Sequence, residues 1–166
     1  MNATVQIQVA QVADLEAIRE IYNEAILMTT ATFDTEPKTA DDRLRWFQAH
    51  GERHPILVAT VGGQVVGWAS LTEWSDRRAY DETAETSFYV KSEFRGRGIG
   101  RKLMEAMIAE ARRHGFHTLI GRVAEGSEAS IHLSKSTGFA LVGTLREVGR
   151  KFGRRLDVHI FQLVLD

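Results

Sequence analysis

Hydrophobic positions fall at two recurring spacings along the chain, and the switches between them mark out the elements. "VQIQVA" (5–10) alternates apolar with polar residues, the period of a half-buried strand. After Asp14, which reads as an N-cap, Leu15, Ile18, Ile21, Tyr22, Ala25 and Ile26 recur at helical spacing. "MTTATFDTEPKT" (28–39) has neither period and reads as a loop. Thr39 then caps a second helix whose apolar side carries Leu44 and Phe47, with Trp46 alongside. "ILVATV" (56–61) and "QVVGWASLTEW" (64–74) are strand-like runs separated by Gly62-Gly63, a hairpin signal.

The second half continues the interleaving. "TAETSFYV" (83–90) is a strand, and 98–114 is an amphipathic helix with Ile99, Leu103, Met107 and Ala111 along one stripe. "HTLIGRV" (117–123) is a strand, and "SEASIHLSKST" (127–137) is a short helix closed by Gly138 as a C′ glycine. "FALVGTLREV" and "RLDVHIFQLVL" end the chain as two antiparallel neighbours. No repeat, low-complexity stretch or linker interrupts the pattern. It predicts one α+β domain over residues 1–166.

Composition narrows the function classes. The chain has 166 residues, 43% apolar and 26% charged, which suits a soluble globular domain with a sizeable core. A formal net charge of −1 gives no reason to expect nucleic acid or an anionic membrane as partner. There is no cysteine, so disulfides, thiolate-held zinc and a cysteine nucleophile are excluded, and a reducing compartment is suited. The N-terminal stretch lacks a basic segment followed by an apolar one, and no apolar run approaches the roughly 20 residues that span a bilayer. A cytoplasmic location is the expectation. The histidines at 50, 54, 114, 117, 132 and 159 show no metal-ligand spacing with carboxylates, so no metal is expected.

The chemistry concentrates in "SFYVKSEFRGRGIGRKLMEAMIAEARRHGF" (87–116), a strand, a turn and a helix start. Gly96, Gly98 and Gly100 stand at alternate positions among Arg95, Arg97, Arg101 and Lys102. A helix N-terminus offers unpaired N–H groups and the positive end of its dipole, and glycines let an anion approach them. The cations add charge-assisted bonds suited to a diphosphate. Neither G-x-G-x-x-G nor the Gly-Lys-Ser/Thr ending of a P-loop is present, which argues against NAD and ATP. The alternative is a connection whose glycines serve turn geometry alone.

"RGRGIG" (95–100) has the form Arg/Gln-x-x-Gly-x-Gly/Ala and resembles the acetyl-CoA pyrophosphate loop of the GNAT N-acetyltransferases. The order of elements resembles that superfamily over nearly the whole chain. "TTATFDTEP", "RRAYDETAETSFYV" and "GRKFGRRLDVHIFQL" further resemble its phosphinothricin and methionine sulfoximine N-acetyltransferases. The resemblance implies a GNAT-like α/β fold with a mixed, largely antiparallel central sheet. The segments above supply about seven strands and about four flanking helices.

It also implies a chemistry: acetyl-CoA as acetyl donor, and the α-amine of a small amino-acid analogue as acceptor. Such analogues are L-methionine sulfoximine, L-methionine sulfone and L-phosphinothricin. An α-amine has a pKa of about 8, so a modest base suffices. By resemblance that base is Glu85. Arg95, Gly96, Arg97, Gly98, Ile99, Gly100 and Arg101 would hold the pyrophosphate. The main chain of Phe88, Tyr89 and Val90 would meet the pantetheine arm and thioester. Many members carry Asn-x-x-Ala/Ser-x-x-Leu-Tyr in the next helix. Here Ser127 stands at the Asn position and Ser134 at the Tyr position. Tyr89, His132 or water are then the candidates for protonating the thiolate. Phe33, Ser75, Asp76, Arg77, Tyr80, Thr86 and Ser87 are the expected substrate contacts together with Glu85. Lys151, Phe152 and Arg154 would reach in from the C-terminal hairpin. A homodimer is the implied assembly, with "VHIFQLVL" as a candidate interface strand. Two rival readings remain: a peptide or protein N-terminal acetyltransferase on the same fold, and a CoA-binding regulatory module without catalysis.

Overall fold

In the computed structural model, which describes residues 4–166, the elements follow the sequence periods closely. They are β1 (Val5–Val9), α1 (Leu15–Met28), α2 (Ala40–Ala49), β2 (Ile56–Val61), β3 (Gln64–Glu73), β4 (Thr83–Val90), α3 (Ile99–Arg113), β5 (Thr118–Ala124), α4 (Glu128–Ser136), β6 (Ala140–Lys151) and β7 (Arg154–Val164). The strands form one mixed sheet in the order β1-β2-β3-β4-β5-β7-β6. Only β4 and β5 run parallel; the other neighbouring pairs are antiparallel. The expected α+β fold with a mixed, largely antiparallel sheet is therefore observed.

Local sequence explains most element ends. Gly62 and Gly63 have φ of 58° and 82°, the two left-handed residues of a tight hairpin turn between β2 and β3. Thr39 and Asp42 form a reciprocal capping box on α2, with Asp42 N donating to Thr39 Oγ1 at 3.1 Å and Thr39 N to Asp42 Oδ2 at 2.8 Å. Asp14 differs from expectation. It closes a short 3₁₀ turn over Val12–Asp14, where its carboxylate accepts from Gln11 N at 2.8 Å, and it makes no cap bond to α1.

One layer packs α1 and α2 on the sheet through Leu15, Ile18, Ile21, Val58 and Trp68. The opposite layer packs α3 on the sheet through Leu103, Met107, Ala111, Leu71, Leu119 and Phe161. Helix α2 departs from its predicted face. Leu44 is exposed, and Arg43 is its buried residue. The Arg43 guanidinium carbon lies 4.8 Å from the Tyr22 ring centre and 4.4 Å from that of Trp46, a cation–π seat that compensates part of its desolvation. Strand β7 is interior, hydrogen-bonded to β5 on one side and β6 on the other, so β6 is the sheet edge. No helix among the described residues is long and apolar enough to cross a membrane.

The feature that shapes the rest is a divergence. Pairing of β4 with β5 runs from Thr83↔Thr118 to Thr86↔Gly121 and stops. Beyond it β4 stays paired with β3 as far as Val90, and β5 stays paired with β7 as far as Ala124. Gly67 in β3 packs beside the diverging segment on its α3 side. A Cβ there would sit 3.1 Å from Tyr89 O and 3.2 Å from Leu103 Cδ1. Gly67→Ala is expected to lower stability by about 1–3 kcal/mol, seen as a lower denaturant midpoint at unchanged slope. An unchanged midpoint would contradict this packing.

Candidate active site

Strand alternation sends Glu85, Ser87 and Tyr89 to the α1/α2 side of β4, and Thr86, Phe88 and Val90 to the α3 side. Backbone groups alternate as well. Lys91 N donates to Val66 O at 2.8 Å, which fixes the phase of the β3–β4 ladder. Counting back by twos, the main chains of Tyr89 and Ser87 turn toward β3. Those of Phe88 and Val90 turn toward the gap that β5 has left. Val90 O there accepts from Arg95 Nε at 3.1 Å.

Two connected hollows meet at this gap. The larger, about 570 Å³, is walled by Tyr22, Thr32, Phe33, Asp34, Glu85, Ser87, Tyr89, Arg122, Leu145 and Val148, among others. The smaller, about 60 Å³, is a cleft between the diverging strands, with Ser127, Ser130, Ser134 and Met104 on its α3/α4 side. Thr86, Ser87, Tyr89 and Arg122 border both. Ser134 is buried at that cleft, whereas His132 is exposed on the outer face of α4 and borders neither hollow.

The charges in the larger hollow are few. Among the described residues its wall carries two carboxylates, Asp34 and Glu85, and one cation, Arg122. Arg122 Nη2 donates to Glu85 Oε1 at 2.8 Å, and Arg122 Nε lies 2.5 Å from Oε2. That second contact is an ion pair without hydrogen-bond alignment, so the buried Oε2 has no aligned donor. The carboxylate raises the Arg122 pKa, and partial burial opposes this. Opposite, Tyr22 donates to Asp34 and also hydrogen-bonds Thr32 Oγ1 at 3.0 Å. Burial pushes the Tyr22 phenol up, and the Asp34 bond adds to it. Burial likewise pushes the Tyr89 phenol up to about 12, partly offset by the neighbouring Thr32 side chain.

The glycine-rich turn joins β4 to α3. Gly96 and Gly98 have φ of 75° and 79°, so both occupy the left-handed region. Gly100 serves packing instead: a Cβ there would lie 3.2 Å from Leu133 Cδ2 and 3.5 Å from Phe88 Cε2. The three glycines thus do two different jobs. Arg95 lies 3.7 Å from Glu24, Arg101 pairs with Glu105 at 2.8 Å, and Arg97 lies over the Phe94 ring at 5.0 Å. Open amides on β4, a helix N-terminus behind left-handed glycines and a surrounding set of cations fit an extended ligand with a phosphate-bearing end. Among the described residues no group of three or more His, Asp or Glu is arranged to hold a metal ion.

Several expected contacts lie elsewhere. Ser75, Asp76, Arg77 and Tyr80 sit in the β3–β4 connection, outside the walls of both hollows, with Tyr80 exposed. Lys151 is buried and donates to Thr32 O at 2.7 Å, so it props the loop that carries Phe33 and Asp34. Phe152 and Arg154 are exposed at the β6–β7 turn. Phe33, Thr86 and Ser87 do border the larger hollow. Sequence reasoning missed Tyr22, Thr32, Asp34, Arg122 and Ser130. For Asp34 a signal existed in "TTATFDTEP"; Arg122 read only as a polar break in an apolar strand.

The profile of the acetyltransferase (GNAT) family matches residues 15–139. The chain belongs to this family. Among its relatives is the L-amino acid N-acyltransferase MnaT of Escherichia coli, 40% identical over 161 residues, spanning 96% of this chain and 94% of that protein. The L-methionine sulfoximine/L-methionine sulfone acetyltransferase of Pseudomonas paraeruginosa is 41% identical over 159 residues, 95% of this chain and 92% of that protein. A GNAT phosphinothricin acetyltransferase from Sinorhizobium meliloti, solved in complex with acetyl-CoA, superposes with a TM-score of 0.92 at 35% identity, covering 99% of this chain and 89% of that one.

The raised Tyr89 pKa has a stability consequence. Its folded value, about 12, lies above the ordinary 10.0, so the protonated phenol's contribution is fully present below pH 10.0. It is lost as pH rises toward 12. Stability measured across that range should fall, and Tyr89→Phe should flatten the fall. An identical slope in the variant would contradict the assignment.

Proposed function

We propose that the chain is an acetyl-CoA-dependent N-acetyltransferase acting on the α-amine of small amino-acid analogues such as L-methionine sulfoximine, L-methionine sulfone or L-phosphinothricin. The observation that carries this reading is that Glu85 stands on the wall of the about 570 Å³ hollow, beside the cleft that opens onto the free edge of β4. An acceptor in the hollow and an acyl donor in the cleft would meet next to a carboxylate. The names of the relatives support the substrate class.

Acetyl-CoA supplies an acetyl group activated as a thioester. The turn from Arg95 to Arg101 binds its pyrophosphate, and Ser127 and Ser134 border its thiol end. Of the open N–H groups of Phe88 and Val90, spaced two residues apart along β4, one holds the carbonyl oxygen where negative charge develops and the other meets the pantetheine arm; losing such an oxyanion donor costs a few kcal/mol of barrier. Glu85 accepts the proton of the amine as nitrogen attacks. Tyr89 keeps its proton at neutral pH and offers a hydrogen bond to the departing sulfur. A phenol near 12 is a much weaker acid than a thiol of about 8.5, so the thiolate leaves hydrogen-bonded rather than protonated by Tyr89. The whole chain acts as one catalytic domain, in the cytoplasm that its cysteine-free composition suits. We assign the dimer contact to the edge strand β6, whose Leu141, Val142 and Val148 are exposed, in place of the interior β7.

Thiol release from acetyl-CoA tests the reading against L-methionine sulfoximine, L-methionine sulfone, L-phosphinothricin, ordinary amino acids and an N-terminal peptide. Turnover on the first three is expected; turnover on the peptide alone moves the function to protein acetylation. Glu85→Gln should bind acetyl-CoA normally and turn over slowly, with the deficit largest below about pH 8, where less amine is free. A variant matching wild type across that range removes Glu85 as the base. Gly98→Val should weaken acetyl-CoA binding, because a branched residue at φ 79° is strained and its side chain occupies the anion's approach. Unchanged affinity by calorimetry would remove the cradle.

A further inference from the structure

The one cation among the described residues of the substrate hollow is not among those expected from the sequence. Arg77 and Lys151 are elsewhere, and Arg122 alone faces the space beside Glu85. Its position follows from the parallel register. Glu85 pairs with Ile120, and Arg122 is two residues further on the same face of β5, just where the strands part. The freed backbone gives the guanidinium room to reach back across the gap.

The pair is unequal in freedom. The Glu85 side chain is 15% exposed and fixed on a sheet strand, while the Arg122 side chain is 57% exposed, its guanidinium carbon 5.9 Å from the centre of the Trp74 ring. An α-amino acid carries a cation and an anion on one carbon, the same charges as the pair in the opposite sense. Insertion would exchange one ion pair for two: ammonium with Glu85 and carboxylate with Arg122. A guanidinium fork suits a carboxylate, and an exposed arginine gives up its partner at little cost.

Resting on the functional reading above, we infer that Arg122 is a specificity-determining residue that receives the substrate's α-carboxylate, and that the Arg122–Glu85 pair opens to admit a zwitterionic α-amino acid. Amines without a carboxylate leave the pair closed and are poor substrates.

The test compares L-methionine sulfone with its decarboxylated counterpart, 3-(methylsulfonyl)propan-1-amine, in wild type, Arg122→Gln and Arg122→Lys. Arg122→Gln should lower kcat/KM for the sulfone by about ten- to a hundredfold, the loss of one charged hydrogen-bonded contact, mainly through KM. Its kcat/KM for the amine should hold or rise, which also reports an intact fold. Arg122→Lys, keeping charge without the fork, should lose less on the sulfone. Equal losses on both compounds in both variants, or no loss on the sulfone, would overturn the proposal. A wild type that binds acetyl-CoA and acetylates neither compound fails the functional reading itself, and this inference with it.

Discussion

The parallel contact between β4 and β5 ends after Thr86 and Gly121, and the site is organised around that interruption. An unpaired backbone N–H in a closed interior costs about 1–3 kcal/mol, so folded chains seldom leave one without water or a ligand. The amides of Phe88 and Val90 are tolerable only because the gap is a cleft. The same geometry directs Glu85 and Ser87 to one side of the sheet and opens the way to α3 and its glycine turn on the other. The two hollows are thus two ends of one interruption in the sheet.

The divergence needs support from both layers. Behind β4, Trp68 and Tyr89 pack with ring centres 5.0 Å apart, and Tyr22 meets both edge-on. Among the described residues Arg43 has no ion-pair partner as it closes this group from α2, and burial holds its pKa below the ordinary value. In front, Gly67 and Gly100 let α3 approach closely enough to hold Phe88. The loop carrying Phe33 and Asp34 is tied down by Lys151 through Thr32 O and by Tyr22 through Asp34. Lys151, which looks like a ligand contact in the sequence, here props that loop.

Legibility of the sequence tracks the range of the interaction. Periodic runs gave the helices and strands, and local chemistry gave the Thr39 capping box, the Gly62-Gly63 hairpin and the α3 start. Glu85, Ser87 and Phe33 were legible through family motifs, and they do border the hollow. Asp14 was misjudged because a 3₁₀ turn and an N-cap use the same residue type. Arg43 was misjudged because cation–π burial overrides the apolar period. Arg122 was invisible because its meaning depends on the β4–β5 register, set between strands separated by the whole of α3. Ser75, Asp76, Arg77 and Tyr80 were named from a motif whose loop lies outside the walls of both hollows.

The most direct measurement is residue-resolved amide hydrogen exchange, with and without acetyl-CoA. The account predicts that Phe88 and Val90 exchange readily in the free protein and become protected when acetyl-CoA binds. Tyr89, bonded to β3, should be protected in both states. Acetyl-CoA binding that leaves Phe88 and Val90 unchanged would contradict the claim that the free edge of β4 is where the acyl donor is held.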